Sequence, residues 1–356
     1  VDDTSGQPMP RYAKIAGQVN AVVPDGEGGW YVGGSFVGVG GLPRSNLAHL
    51  LADGRVARWS PDPDGEVTAL AVDGHTLYVG GYFNHIGGKS RDFIAAINLV
   101  SGMPTSWNPG ANLQVLALLV HRDTLYVGGD FRTIGGQERN HVAALDMASG
   151  SATCWNPDVD GPVRVLAARG DTILVGGRFW YVGESPRRHL AAVSASTGLT
   201  TDWDPHVTGP DDSYYGDPYV SALAIRGNTV YVGGHFTGIG GQTRQGLAQV
   251  DLATGLTCAW NPTVAEVHEL ALRDSTLLIG GYFTFVSGQP RRYAAEVSLT
   301  TGAATPWNPN ANEPVYCLAA VDGTVYVGGD FTGLGAQWQP RMNVAATNPA
   351  RAPTTP

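Results

Sequence analysis

The chain has 356 residues, 43% hydrophobic and only 15% charged, which is ample for a large core and too apolar for a disordered chain. Its formal charge is −9, and a nucleic-acid binder needs a basic face to displace counterions, so that partner class is excluded. No apolar run approaches the roughly 18 residues of a membrane-spanning helix, so no membrane span is expected.

The chain opens with Val1-Asp2-Asp3, as a processed mature chain would. Thr4-Ser5-Gly6 then leads through Tyr12 into a first apolar segment, Val19 to Val22. After a turn comes Trp30 to Phe36, whose Gly33-Gly34-x-Phe36 ending recurs. It returns at Gly80 to Phe83, Gly128 to Phe131, Gly176 to Phe179, Gly233 to Phe236, Gly280 to Phe283 and Gly328 to Phe331. The phenylalanine spacings are 47, 48, 48, 57, 47 and 48 residues. A period in this range signals a solenoid, a propeller or an array. Laid over one another, the copies begin with V-x-A-L, as in Val67 to Leu70, Val115 to Leu118 and Val220 to Leu223. A turn, T-L-Y-V-G-G-x-F, an I-G-G-Q-x-R loop, L-A-A-L-D and T-G follow, and the unit ends in W-N-P, as at Trp107 to Pro109. Each apolar piece is about five to eight residues long and bounded by turn residues, which is the strand signature; none has a helical period.

Four strands in each of seven units predict an all-β fold. The expectation is a seven-bladed β-propeller of four-stranded antiparallel blades over residues 1–347, with blades starting near 19, 67, 115, 163, 220, 267 and 315. The last copy runs through Val344-Ala345-Ala346 and stops short of its T-G and W-N-P strand. Residues 1–16 match the missing piece, with Arg11 at the Trp position. This N-terminal strand is therefore expected to complete blade seven, pairing from about 7–15 with 343–347, and to close the ring without a free edge. Residues 348–356, NPARAPTTP, read as a Pro/Thr linker or tail, so the chain could be part of a larger one.

Positions repeated in every copy read as scaffold. The glycine pair sits where a neighbour's backbone or side chain, such as an aromatic ring of the adjacent blade, presses in. A phosphate cradle would need a following helix N-terminus, and none follows. Trp59, Trp107, Trp155, Trp203, Trp260 and Trp307 are expected to anchor blade to blade. Arg44, Arg91, Arg139, Arg187, Arg244 and Arg291, each eight residues after its Phe, are expected to bond loop carbonyls or a neighbouring carboxylate with their five donors. Three cysteines are too few for a disulfide framework and are expected free and mostly buried.

Function is sought where the copies differ. The residue between Gly-Gly and Phe varies, as does the second inner-strand position: Asn20, Thr68, Leu116, Arg164, Ser221, His268 and Tyr316. Glu269 replaces a small apolar residue and needs a partner or water, with His268 and Arg164 as candidates. The 57-residue interval holds an insertion, Thr208 to Tyr219, rich in acids and tyrosines. Asp211, Asp212, Tyr214, Tyr215 and Tyr219, with Trp180 and Tyr181 in a neighbouring loop, form the expected contact surface for a partner protein or glycan. Asp62-x-Asp64-Gly65 and Asp158-x-Asp160-Gly161 could hold calcium through carboxylates and carbonyls, although they are also ordinary turn sequences. No other cofactor is signalled.

The string V-G-G-x-F-x-x-I-G-G-x-x-R-x-x-L-A-A-L-D resembles the delta-sixty repeat propellers of bacterial secreted proteins, and the order of features is similar to kelch propellers. That resemblance spans all seven copies and implies an extracellular or surface-attached bacterial protein; it carries no general activity. The expected function is a non-catalytic binding or assembly module of a secreted or cell-surface protein. The alternative is an enzyme acting on a polysaccharide or small molecule at the channel mouth through Glu269, His268, Arg164 and Tyr316. A strongly shifted Glu269 in a deep pocket would favour the enzyme, and a shallow polar mouth the module.

Overall fold

β-Branched and aromatic segments bounded by turn residues settle into antiparallel strands throughout, and no helix occurs among the described residues. The structure is a computed structural model and describes residues 13–209, 216–321, 324–335, 339–340 and 344–347. The third copy shows the plan. An inner strand, Val115–His121, pairs with a middle strand, Thr124–Gly129, which pairs with a third, Val142–Asp146. Between the middle and third strands, Thr133–Ile134 and Gln137–Glu138 form a small hairpin. Its tip is Gly135-Gly136, at φ 60° and 77°, the left-handed pair that a two-residue hairpin turn requires.

The same inner–middle–third order recurs in seven sheets among the described residues. The expected fourth strand is present as a short edge. In six copies it is held by one bridged pair, such as Leu145 with Ala152 or Val193 with Thr200. The T-G turn leaves only a few residues before W-x-P, where the chain must swing to the next sheet and the proline has no N–H to donate. The crossing segment then pairs with the next copy's hairpin, Ala111 with Ile134 and Val159 with Val182. That pairing puts the crossing segments and the hairpins on one face.

The core lies between neighbouring sheets. Ala117, Tyr126 and Ala144 of one sheet pack with Val163, Ile173 and Val175 of the next, under Trp155. The glycine pair permits this approach. A Cβ on Gly128 would stand 2.6 Å from Val163 Cγ1, and one on Gly80 would stand 2.5 Å from Val115 Cγ1. The neighbour that presses in is a side chain, as expected, but it is a valine of the next inner strand rather than an aromatic ring. Gly328 meets Val19 in the same way at 2.8 Å, and Val19 and Trp30 share a core cluster with Cys317 and Tyr326. The last sheet packs on the first.

The tryptophans and arginines behave as scaffold. The Trp107, Trp155, Trp203 and Trp260 indoles donate to the carbonyls of Asp146, Ser194, Asp251 and Ser298, each in the next sheet. Arg139 donates to the carbonyls of Glu138 and Thr153, and Arg44, Arg91, Arg187, Arg244 and Arg291 repeat the pattern. Two expectations need correction. Cys154 and Cys258 are exposed and only Cys317 is buried, because the first two stand on the short outer edge. Ile15 pairs with Val39, so residues 15–16 belong to the first sheet rather than the last. The remainder of the proposed closing strand, residues 1–12, lies outside the described residues, as do Asp211, Asp212, Tyr214, Tyr215 and the tail 348–356.

Candidate functional site: a mouth lined by bulge residues

Every inner strand slips register at the same place: between Val19 and Ala21, Val67 and Ala69, Val115 and Ala117, and so on to Val315 and Cys317. The slip has a local cause in the glycine pair. A Cβ on the second glycine would run into the carbonyl oxygen before the valine, Glu66 O for Gly81 and Pro162 O for Gly177. The residue left over by each bulge is Asn20, Thr68, Leu116, Arg164, Ser221, His268 or Tyr316. A bulge residue has no ladder partner and its side chain is re-aimed, so it can differ between copies without disturbing the pairing.

All seven line two connected hollows between the inner strands. The outer, about 190 Å³, is walled by Leu116, Arg164, Tyr219, Ser221, His268 and Tyr316. The deeper, about 290 Å³, adds Asn20, Thr68, Glu269 and Cys317. Three bulge residues spend their polar atoms on the scaffold. Asn20 Nδ2 donates to Val67 O at 3.3 Å, Thr68 Oγ1 to Val115 O at 2.5 Å and Ser221 Oγ to Val267 O at 2.6 Å. Arg164, His268 and Tyr316 form a polar and aromatic wall beside Leu116. His268 stacks on Tyr316 with ring centroids 5.4 Å apart and planes 13° apart. The Arg164 guanidinium lies 4.7 Å over the Tyr219 ring. Glu266 ties this wall together, with Oε1 2.7 Å from His268 Nε2 and accepting from the Tyr219 hydroxyl. Tyr316 donates to Asp330 Oδ2 at 2.9 Å. Burial works against the Glu266 carboxylate, but the bonds from His268 and Tyr219 together hold it below its usual range. Burial, then the bond to Glu266, pushes the Tyr219 phenol up.

Of the four residues of the catalytic alternative, Arg164, His268 and Tyr316 meet at the outer hollow, and Glu269 lies below them. Its carboxylate accepts from the Leu270 N–H at 3.1 Å, and the carboxylate paired with His268 is Glu266. Part of the Glu269 surface faces the lumen, yet protein surrounds it closely, and this desolvation pushes its pKa up to about 7. Tyr219, expected in an exposed insertion loop, instead begins the inner strand Tyr219–Arg226 and is half-buried. Trp180 packs on His189 at 5.2 Å with Arg188 over its ring at 4.8 Å, while Tyr181 is exposed. The loop acids are engaged with the protein. Asp64 accepts from the Asn84 and His85 N–H groups at 2.8 and 2.9 Å, and Asp160 from those of Trp180 and Tyr181 at 2.8 and 3.0 Å. Asp62 accepts from Ser45 N and Asp158 from Asn140 Nδ2. No group of three or more metal-ligating side chains occurs among the described residues.

Sequence reasoning missed Glu266. The signal was available, because the residue before the inner-strand valine also changes from copy to copy: Gln18, Glu66, Gln114, Pro162, Tyr219, Glu266 and Pro314. Its partnership across two sheets with Tyr219 was not visible.

Repeated antiparallel sheets packed side by side, with inner strands around a common hollow, define the β-propeller class. The solved structures agree. The WD40 β-propeller domain of Doa1 is 12% identical, covers 96% of both chains and superposes with a TM-score of 0.62. The computationally designed Ika8 protein is 16% identical, with a TM-score of 0.54 over 92% of this chain and 86% of its own. At these identities the likeness concerns the fold alone. No family model matches the chain, and no curated protein matches it.

Proposed function

We propose that the chain is a non-catalytic binding module: a seven-bladed, ring-closed propeller of the delta-sixty repeat kind, secreted or held at a bacterial cell surface. It engages a partner protein or glycan on the face that carries the hairpins. The observation that carries the reading is the division of labour between positions. Repeated Gly, Trp and Arg residues are spent inside the scaffold, whereas the seven bulge positions, which the repeat leaves free to vary, line the two connected hollows between the inner strands. Stacked aromatic rings beside a guanidinium and carboxylates suit the faces and hydroxyls of sugars as well as a polar protein surface. The ring closure draws support from the Gly328–Val19 contact, which repeats the contact between every other pair of neighbours.

The catalytic reading keeps one observation in its favour, the raised Glu269. Against a thiol mechanism, the nearby Cys317 is pushed well up by burial, then by Glu269 itself, and is a poor thiolate. One experiment addresses both. Labelled protein is titrated onto isolated bacterial cell envelopes and onto a panel of soluble polysaccharides, with the Arg164→Ala/His268→Ala/Tyr316→Ala variant alongside. Saturable binding without turnover, lost in the variant at unchanged melting temperature, is expected. Turnover abolished by Glu269→Gln would establish the enzyme instead, and binding indifferent to the three substitutions would remove the mouth from consideration.

A further inference from the structure

On the middle strand, the residue two before the first glycine of the pair is tyrosine in five sheets, Tyr31, Tyr78, Tyr126, Tyr231 and Tyr326, and leucine in two, Leu174 and Leu278. In each of the five the ring packs on a tryptophan: Tyr31 is tilted on Trp59 at 5.7 Å, Tyr326 is tilted on Trp30 of the first sheet at 4.0 Å, and the other three share one geometry. These three pack edge-on against the tryptophan of their own sheet, Tyr78 on Trp107 at 5.2 Å, Tyr126 on Trp155 at 5.1 Å and Tyr231 on Trp260 at 5.5 Å. A leucine leaves that place short of a phenol ring. The two leucine sheets differ in what happens next. Opposite Leu278 on the third strand stands Glu296, a long side chain buried there and held by the hydroxyls of Thr276 and Thr305 at 2.7 Å, with Arg273 at 3.4 Å. Opposite Leu174 stands Ala192, which fills nothing.

The result is a cavity of about 330 Å³ on the face opposite the mouth's hairpins, between the fourth and fifth sheets. Leu174, Ala192 and Trp203 are its buried floor and wall, Leu252 and Thr172 are half-buried, and Arg169, Gly170, Asn228 and Ala253 form the exposed rim. Arg169 is the single charged side chain of that lining. Its NH1 donates to Asn228 Oδ1 at 2.7 Å, and Asn228 Nδ2 in turn donates to Asp251 Oδ2 at 2.8 Å, so Asp251 is occupied and Arg169 is held at the rim with other N–H groups to spare.

We infer that this cavity is a ligand site for a small aromatic ring carrying a carboxylate. The ring takes the place that tyrosine holds in the sister sheets, edge-on to Trp203, and the carboxylate meets the Arg169 guanidinium. Size, apolar floor and a single convergent cation fit a small-molecule pocket of this class. The inference is independent of the mouth on the other face.

The test is a titration of the whole chain with 4-hydroxyphenylacetate, followed by ligand-observed NMR, with 4-hydroxyphenylacetamide as the neutral comparator. The acid is expected to bind saturably and more tightly than the amide. Leu174→Tyr installs the residue five sheets already carry; it should weaken binding by at least about tenfold while keeping or raising the melting temperature. Arg169→Gln should cost the acid about fivefold and the amide little. Should Leu174→Tyr fold poorly, Ala192→Leu fills the same space from the facing strand and should have the same effect. Absence of saturable binding by either compound at millimolar concentration, or binding that both filled variants retain, would overturn the assignment.

Discussion

Glu269 is the residue at which this scaffold carries an electrostatic cost. Six copies place Ala, Val or Cys at the equivalent position, and here a carboxylate is enclosed and accepts from the backbone N–H of Leu270. Its pKa rises from an ordinary 4.5 to about 7, so between those values the folded chain holds a proton that the unfolded chain has lost. The folded state is thus favoured by this group below pH 4.5, and the advantage is lost as pH rises through 7. Melting temperatures measured from pH 4.5 to 8 should fall across that window relative to Glu269→Gln, which should lack this component. Parallel profiles for the two proteins would show that the carboxylate is solvated.

At the scale of the element, the inner strand and the glycine pair opposite it act as one device. The first glycine admits the valine of the next sheet, and the second admits the bulge carbonyl of its own sheet. Gly128→Ala drives a methyl to within 2.6 Å of Val163 Cγ1 and should destabilise by about 1–3 kcal/mol, the usual cost of overpacking. Val163→Ala alone should also destabilise, by removing a fully buried side chain. The double variant should be more stable than the sum of the two losses predicts, because the removed methyls are the ones the new Cβ meets. Additive losses in denaturant unfolding would mean that the strain is relieved elsewhere.

For the whole molecule, stability rests on neighbour-to-neighbour packing that must somewhere meet itself. Ile15 and Val19 are fully buried against the first and last sheets, so the segment at the start of the described residues belongs to that junction. Deleting residues 1–16 removes Ile15 together with the proposed closing strand. The truncated chain should melt lower or aggregate through an uncovered edge, as judged by calorimetry and light scattering. A truncated protein that remains monomeric with unchanged melting temperature would refute the closure.

The period of the Gly-Gly-x-Phe motif, the strand lengths and the scaffold roles of Trp107 and Arg139 were legible in the sequence, because repetition exposes what every unit must satisfy. The bulge position was legible as one of variation, since a residue outside the ladder is released from the repeat. What the sequence left open depends on contacts between units. The pairing of His268 with Glu266 rather than Glu269, the burial of Tyr219 and the valine against each first glycine all join residues whose proximity is set by the register slip and sheet-to-sheet packing. The cavity beside Leu174 shows the same division. The missing tyrosine can be read from the chain, but only the cross-strand partner, Ala192 in one sheet and Glu296 in another, decides whether a void remains.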